Sequence, residues 1–371
     1  MRPFDQALGT RTARHLLLHC VSKALTMRKT FWQFGNAVVA WQKIHGRHDL
    51  PWQNTQDPYA VWLSEIMLQQ TQVVTVRDYF ARFMKRFPTV NDLAKASQEE
   101  VMGLWSGLGY YSRARNLHRA AQDVMALHGG EFPRDALTLQ TLPGIGRSTA
   151  AAVASLCFGD PIAILDANVK RVLTRYLGFG HDLAVAKNEK LLWEKAQTLL
   201  PTQHVAQEMP HYTQGMMDLG ATLCTPKNPQ CLLCPVKDFC VAVKEGKPEN
   251  YPVKTKKLKR TSEQLWLLYA QSKNGEVWMV QRPQSGIWAG LYCLPVFESY
   301  EALQSFVKTK SKLDLQDMPV VKHVLTHKDL YLYPVALQLS SSKSLGEGRW
   351  VDSQSIADIG LPAPIRKLVS I

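Results

Sequence analysis

The stretch LPGIGRSTAAAV, residues 142–153, decides the fold of the N-terminal part of the chain. Its proline and two glycines, Gly144 and Gly146, indicate a tight turn, and an alanine-rich segment of helical composition follows. Glycines at such a turn let backbone N–H groups approach a phosphate at the beginning of the next helix. An ordinary turn between two helices is the alternative. The full stretch favours the hairpin of a helix-hairpin-helix motif that binds a nucleic-acid backbone without reading its bases.

The charge balance points to the same class of partner. The chain has 371 residues, with 44 Lys and Arg against 31 Asp and Glu, which gives a formal net charge of +13. A polyanion is therefore the first partner to consider, although a basic soluble protein would have the same composition. No apolar run approaches the roughly 20 residues that span a bilayer, so we expect a soluble protein without a membrane partner.

Hydrophobic periodicity divides the chain into two parts. From residue 31 to about residue 200 apolar residues recur at helical spacing, and turn signals separate helices of ordinary length. A basic segment rich in lysine and proline follows residue 240. Beyond it, short runs at 264–269, 276–280 and 330–337 have the composition of strands, with a helical pattern at 300–306. The size and the pattern predict two domains, the first mostly α and the second α+β.

Four of the seven cysteines lie within seventeen residues, in the spacing C-x6-C-x2-C-x5-C. An oxidised secreted framework would spread its cysteines along the chain, so this cluster indicates a metal site in a reducing compartment. Structural zinc and an iron–sulfur cluster both suit thiolate ligands. The single C-x2-C with longer gaps on either side favours the iron–sulfur cluster. The predicted ligands are Cys224, Cys231, Cys234 and Cys240.

These motifs resemble those of the endonuclease III superfamily of DNA glycosylases, and in particular of MutY-type adenine DNA glycosylases. The resemblance runs from about residue 31 to the C-terminus. It rests on the hairpin, on the cysteine spacing and on the segments WLSEIMLQQTQV (62–73), GLGYYSR (107–113), ILDANVKRV (164–172), QGMMDLG (214–220) and QRPQSGIWAGLY (281–292).

The resemblance implies a helical helix-hairpin-helix glycosylase domain with a [4Fe-4S] cluster loop, followed by an α+β MutT-like domain. We expect an N-terminal extension at 1–29, the glycosylase domain at 30–223, the cluster loop at 224–240, a basic linker at 241–262 and the lesion-recognition domain at 263–371. The extension is either a weak targeting segment or, as we favour, sequence upstream of the true start.

Cleavage of an N-glycosidic bond requires two carboxyl groups with different roles, because the leaving base accepts a proton while the sugar gains positive charge. We assign the acid to Glu65, whose apolar neighbours should raise its pKa, although a glutamate on such a helix is more often solvated. Asp166 would stabilise the sugar cation and would also cap the helix that follows it. The resemblance makes Asn168 its polar partner. Ala167 stands where relatives commonly have glycine.

Ser148 occupies the position at which strand-cutting members of the superfamily carry a lysine that forms a Schiff base. A serine cannot form that adduct, so the resemblance implies a monofunctional glycosylase that uses water. We place Ser148 near the sugar or its phosphate, with a role in capping its own helix as the alternative.

Adenine is a normal base, so the base opposite it must license its removal. The resemblance implies that this base is 8-oxoguanine, that Gln70 and Tyr110 enter the duplex, and that Thr326 and His327 read the lesion. Ordinary surface or packing roles are the alternative for each of these residues. The acidic helix of Nudix hydrolases is missing, which argues against nucleotide hydrolysis.

The resemblance therefore implies a protein that acts on double-stranded DNA containing adenine opposite 8-oxoguanine, and we expect a cytoplasmic, nucleoid-associated bacterial monomer. Three alternatives stay open. They are an endonuclease III-like lyase for oxidised pyrimidines, a lesion-binding protein without activity, and a nucleotide hydrolase.

Overall fold

A computed structural model describes residues 34–53, 55–253, 255, 259–308 and 314–370. The predicted extension at 1–29 lies outside these residues. The chain divides into two compact units, which we describe separately. The first contains the described parts of Met1–Trp62, Pro133–Thr141 and Ile145–Lys256, and the second contains Leu63–Phe132, Leu142–Gly144 and the described parts of Lys257–Ile371.

The N-terminal two thirds of the chain is helical. Its helices are α1 (34–45), α2 (Pro58–Leu68), α3 (Val73–Arg86), α4 (Val90–Lys95), α5 (Gln98–Trp105), α6 (Ser112–His128), α7 (Ala136–Leu139), α8 (Arg147–Phe158), α9 (Ala167–Leu177), α10 (Ala186–Gln197), α11 (Val205–Thr222) and α12 (Val241–Lys244). In the first unit α11 packs against α8 and α9. Buried side chains from these helices, including Phe34, Tyr176 and Tyr212, form the core of that unit.

The C-terminal part adds a mixed sheet to the second unit. Its elements are β1 (Thr261–Ser272), β2 (Val277–Gln281), β3 (Tyr292–Cys293), β4 (Val296–Phe297), α13 (Tyr300–Lys308), β5 (Leu315–Asp317), β6 (Val321–Val324), β7 (Lys328–Leu339), β8 (Arg349–Val351), α14 (Ser355–Asp358) and α15 (Ala363–Val369). β1 and β7 pair in parallel, and the other pairs are antiparallel.

Alternation along β1 gives the sheet two buried faces. Leu265 and Leu267 belong to the core that includes Ile365 and Leu368 of α15. Leu268 and Ala270 belong to the core that includes Leu303 and Val307 of α13. The sheet therefore lies between two helical layers. The predicted fold class, a helical N-terminal part followed by an α+β part, is confirmed.

Within the described residues, no helix combines the length and apolar character that crossing a membrane requires.

Candidate active site

Glu65 lies near the end of α2, a helix that is apolar on nearly every side. Glu65 is half-buried, while Leu63, Ile66 and Met67 are buried almost completely. The helix therefore places Glu65 among apolar side chains, and its role as the acid stays a prediction.

Asp166 is the N-cap of α9. Its Oδ1 accepts a hydrogen bond of 2.6 Å from the backbone N–H of Val169, as the sequence predicts. Desolvation raises the pKa of the Asp166 carboxyl, while the Val169 N–H and the positive charges of Arg171 and Lys170 lower it. Burial is the largest of these effects. The cap and the two cations favour the ionised form that the sequence led us to expect, but burial acts against it.

Ser148 joins the beginning of α8 to the segment that carries Asp166. Its hydroxyl oxygen accepts a hydrogen bond of 3.1 Å from the backbone N–H of Leu165. The N-cap of α8 is Gly146, without a side-chain cap hydrogen bond. Ser148 thus holds the residue that immediately precedes Asp166.

Asn168 lies at a close approach of two helices. A Cβ on Gly220 of α11 would stand 2.7 Å from the Cβ of Asn168, so only glycine lets the helices meet here. Arg171 Nη2 donates to Asn168 Oδ1 at 2.8 Å and to the Gly220 carbonyl at 2.7 Å. Arg171 Nε donates to the carbonyl of Cys224. The Asn168 amide is therefore fixed by a guanidinium that also contacts the cysteine segment.

The hairpin between α7 and α8 requires glycine at one of its two glycine positions. Gly144 has φ of +76°, in the left-handed region, and its missing Cβ would stand 2.7 Å from the Cβ of Asn116. Gly146 has an ordinary φ of −80° and open space where its Cβ would be. Both glycines are exposed. The turn therefore presents backbone N–H groups to solvent at the beginning of α8.

Gln70 and Tyr110 share an uncommon backbone conformation. Their φ angles are +58° and +47°, in the left-handed region that residues other than glycine rarely adopt. Gln70 is exposed, and Tyr110 is 45% exposed although it is a large aromatic residue. Both side chains are accessible at the surface.

Thr326 and His327 lie at the exposed tip of the hairpin between β6 and β7. The hydroxyl groups of Thr326 and Tyr110 form a hydrogen bond of 2.7 Å. Arg260 donates to the carbonyls of Thr326 and Leu325, at 3.0 Å and 2.9 Å. The second unit thus brings together Tyr110 and Thr326, which are 216 positions apart in the sequence.

The four clustered cysteines line one small cavity in the first unit, together with apolar side chains such as Val172, Leu219 and Val236. Burial raises the pKa of the Cys231 and Cys240 thiols and raises that of Cys234 to about 12. Iron binds the thiolate form, so a bound cluster would compensate for this burial. The donor set and its enclosure fit a cluster held by four cysteines.

Three regions of the chain match known protein families. Residues 63–198 match the HhH-GPD superfamily of base excision DNA repair proteins, residues 224–240 match the iron-sulfur binding domain of endonuclease III, and residues 266–370 match the NUDIX domain. The chain is 36% identical to an adenine DNA glycosylase of Buchnera aphidicola subsp. Schizaphis graminum, over 92% of this chain and 99% of the relative. The chain belongs to the adenine DNA glycosylase family.

More distant similar proteins are also named as DNA glycosylases. An adenine DNA glycosylase of Mus musculus is 33% identical over 90% of this chain and 77% of its own length. A solved structure of a thermostable thymine-DNA glycosylase is similar with a TM-score of 0.53 and 31% identity, over 59% of this chain and 99% of the other. The protein is thus a monofunctional DNA glycosylase, a hydrolase of N-glycosyl bonds, and an iron–sulfur protein.

Sequence reasoning did not find the arginines that hold the glycosylase's irregular segments. Arg175 is 2% exposed and donates to the Cys224 sulfur, at 3.4 Å, and to the carbonyls of Thr225 and Pro226. Arg113 is similarly buried among carbonyl groups. A basic residue inside the apolar pattern of a helix was the available signal for Arg175, whereas Arg113, the second residue of α6, had no such signal.

Glu65 belongs to the second unit and Asp166 to the first, and the pairing of their carboxyl groups stays a prediction.

Proposed function

We propose that the protein removes adenine opposite 8-oxoguanine in double-stranded DNA. Its relatives are named adenine DNA glycosylases, which supports adenine as the base that is released. The observation that carries the lesion assignment is the hydrogen bond between Tyr110 and Thr326. It joins a residue assigned to the interior of the duplex to a residue assigned to reading the opposite base.

The reaction divides between two carboxyl groups. Glu65 gives its proton to N7 of the extruded adenine, the bond between adenine and C1′ breaks, and the bonding electrons leave with the base. The carboxylate of Asp166 faces the positive charge that develops on the sugar. Water adds its hydroxyl to C1′ and releases a proton, so the products are free adenine and an abasic site.

Supporting residues fix this arrangement. Ser148 provides no amine, so water and not a lysine completes the reaction. Its hydrogen bond to Leu165 positions the segment before Asp166, and Asn168 fills the polar position beside it. Gly144 and Gly146 bind the phosphodiester through their backbone.

The lesion-reading step involves Thr326 and His327 at the tip of an exposed hairpin. Two neutral hydrogen bonds to the oxidised base, at about 1 kcal/mol each, would give roughly thirtyfold preference over guanine. Gln70 and Tyr110 fill the space that the extruded base leaves. The hairpin thus adds selectivity for the oxidised base, which extrusion of a normal adenine does not provide.

We assign a [4Fe-4S] cluster to Cys224, Cys231, Cys234 and Cys240. The match of residues 224–240 to the iron-sulfur binding domain of endonuclease III supports this assignment. When bound, the cluster cross-links the loop that carries Lys227 and Lys237, and it has no step in the chemistry.

We further propose that the glycosylase domain spans 30–223, that 224–240 is the cluster loop, that 241–262 is the linker and that 263–371 is the lesion-reading domain. The protein would act as a monomer in the bacterial cytoplasm, at the nucleoid.

The test is adenine release from a duplex with one adenine opposite 8-oxoguanine, followed by hot alkali that breaks the strand at the abasic site. We expect a break with the wild-type protein and none in a matched duplex that has only A·T pairs. Glu65→Gln should abolish the break. The control is Glu99→Gln, which removes an exposed carboxylate paired with Arg349, and it should leave the rate unchanged.

Three results would contradict the proposal. Activity in Glu65→Gln would refute the acid assignment. Tight binding to the lesion duplex without release of adenine would show a binding protein, and a covalent adduct trapped by borohydride would show a lyase.

A further inference from the structure

Arg113, near the beginning of α6, is a buried cation surrounded by neutral oxygen atoms. Its two terminal nitrogens contact three oxygens each, at 2.6–3.2 Å. The acceptors are the carbonyls of Ile66, Met67, Gln69, Leu108 and Gly109 and the hydroxyl of Thr71. Burial lowers the pKa of Arg113 to about 10, so its guanidinium is charged at neutral pH.

Four of these six oxygens belong to residues within two positions of Gln70 or Tyr110. The Gln69 carbonyl and the Thr71 hydroxyl belong to the neighbours of Gln70. The Leu108 and Gly109 carbonyls come immediately before Tyr110, whose ring also lies 5.5 Å from the guanidinium carbon. The Arg113 side chain therefore contacts the chain segments next to both Gln70 and Tyr110.

Gln70 and Tyr110 need such support because each has a left-handed backbone. For an ordinary L-residue this conformation persists only when surrounding contacts hold it. The planar guanidinium suits this task, since its terminal nitrogens direct hydrogen bonds to several carbonyls at once. The same side chain also contacts the Ile66 and Met67 carbonyls in the last turn of α2, next to Glu65.

We propose that Arg113 is a positioning residue that holds Gln70 and Tyr110 in the conformations from which they enter the duplex. This inference rests on the proposed function, in which those two residues fill the space of the extruded base. Arg113 itself does not contact the substrate. It acts through the two turns that it joins.

Arg113→Lys tests this inference because lysine keeps the charge and loses the planar fork. We expect the single-turnover rate on the lesion duplex to fall about 10- to 100-fold, as displaced positioning groups typically cause. Affinity for an undamaged duplex should stay within about twofold, because phosphate contacts dominate it. The fluorescence of 2-aminopurine, placed opposite 8-oxoguanine to report unstacking, should fall with the rate.

The matched control is Arg115→Lys. Arg115 lies two residues further along α6 and donates to the Ala289 carbonyl at 2.6 Å, without a contact to either turn. It should keep the wild-type rate and fluorescence. The milder variant Thr71→Val removes one acceptor of Arg113 and should lower both readouts about fivefold. It keeps the test decisive if Arg113→Lys does not fold.

A double-mutant cycle separates positioning from general stability. In a Gln70→Ala/Tyr110→Ala background, Arg113→Lys should lower the rate by less than about twofold, because the residues through which it acts are gone. An equal loss in both backgrounds, or wild-type rate and fluorescence in Arg113→Lys, would overturn the inference alone. A wild-type protein that releases no adenine would instead refute the proposed function on which the inference rests.

Discussion

Replacing Gly144 by alanine should destabilise the helix-hairpin-helix turn for two separate reasons. Gly144 has φ of +76°, and a residue with a Cβ costs roughly 1–2 kcal/mol in this left-handed region. The new Cβ would also stand 2.7 Å from the Cβ of Asn116, and overpacking of this kind costs about 1–3 kcal/mol. Neither atom can move away by rotating a side chain. The expected total of about 2–5 kcal/mol is a large part of the roughly 5–15 kcal/mol that stabilises a typical domain.

The two contributions can be measured separately by urea unfolding. Asn116→Ala keeps the Cβ and should not relieve Gly144→Ala. Asn116→Gly removes the Cβ at a helix-propensity cost of roughly a few tenths of a kcal/mol, and it should recover the overlap contribution while leaving the backbone contribution. Gly146→Ala is the control, because its φ is ordinary and its Cβ would meet open space. It should cost less than about 1 kcal/mol. Stability of Gly144→Ala within about 0.5 kcal/mol of wild type would refute this reasoning.

Three further predictions concern buried or paired polar groups. Burial raises the pKa of Asp166, so its ionisation lowers the stability of the fold as pH rises through that pKa. Asp166→Asn should therefore abolish adenine release yet raise the thermal midpoint at pH 8. This gain in the thermal midpoint should shrink as pH falls. Arg47→Met should lower the free energy of unfolding by about 3–5 kcal/mol, because it leaves the fully buried Asp218 without its ionic partner. In a denaturation series, adding Asp218→Asn should restore part of this loss. Tyr110→Phe removes the hydrogen bond to Thr326. It should reduce about fivefold the ratio of two rates of adenine release, that opposite 8-oxoguanine to that opposite guanine. An unchanged ratio would exclude a role for that contact.

Local patterns predicted the elements well because each element leaves a periodic signal. The run at 330–337 is part of β7, and the helical pattern at 300–306 is part of α13. The acid at residue 166 caps α9, because a side-chain oxygen just before a helix can accept a hydrogen bond from an N–H group of its first turn. In these cases the information lies within a few neighbouring residues.

Contacts between distant residues were beyond sequence reasoning. Ser148 is predicted near the sugar or its phosphate, or as a cap for its own helix, and sequence reasoning did not find that its hydroxyl oxygen accepts a hydrogen bond from the Leu165 N–H, seventeen positions away. A backbone group carries no sequence signature, because every residue type except proline offers the same N–H and carbonyl. The contacts of Arg113 could not be predicted for the same reason, because its carbonyl acceptors belong to residues of unrelated types.

The irregular segments that carry the proposed chemistry share one means of support. A loop without regular secondary structure must find other partners for its buried carbonyls. Arg113 donates to the carbonyls of Gln69, Leu108 and Gly109. Arg171 donates to the carbonyl of Cys224, and Arg175 donates to those of Thr225 and Pro226. Hydrogen bonds to charged groups contribute about 1.5–3 kcal/mol each, more than neutral ones. A lysine at any of these positions would keep the charge but leave carbonyls without donors, so function should be lost at substitutions that the helices themselves tolerate.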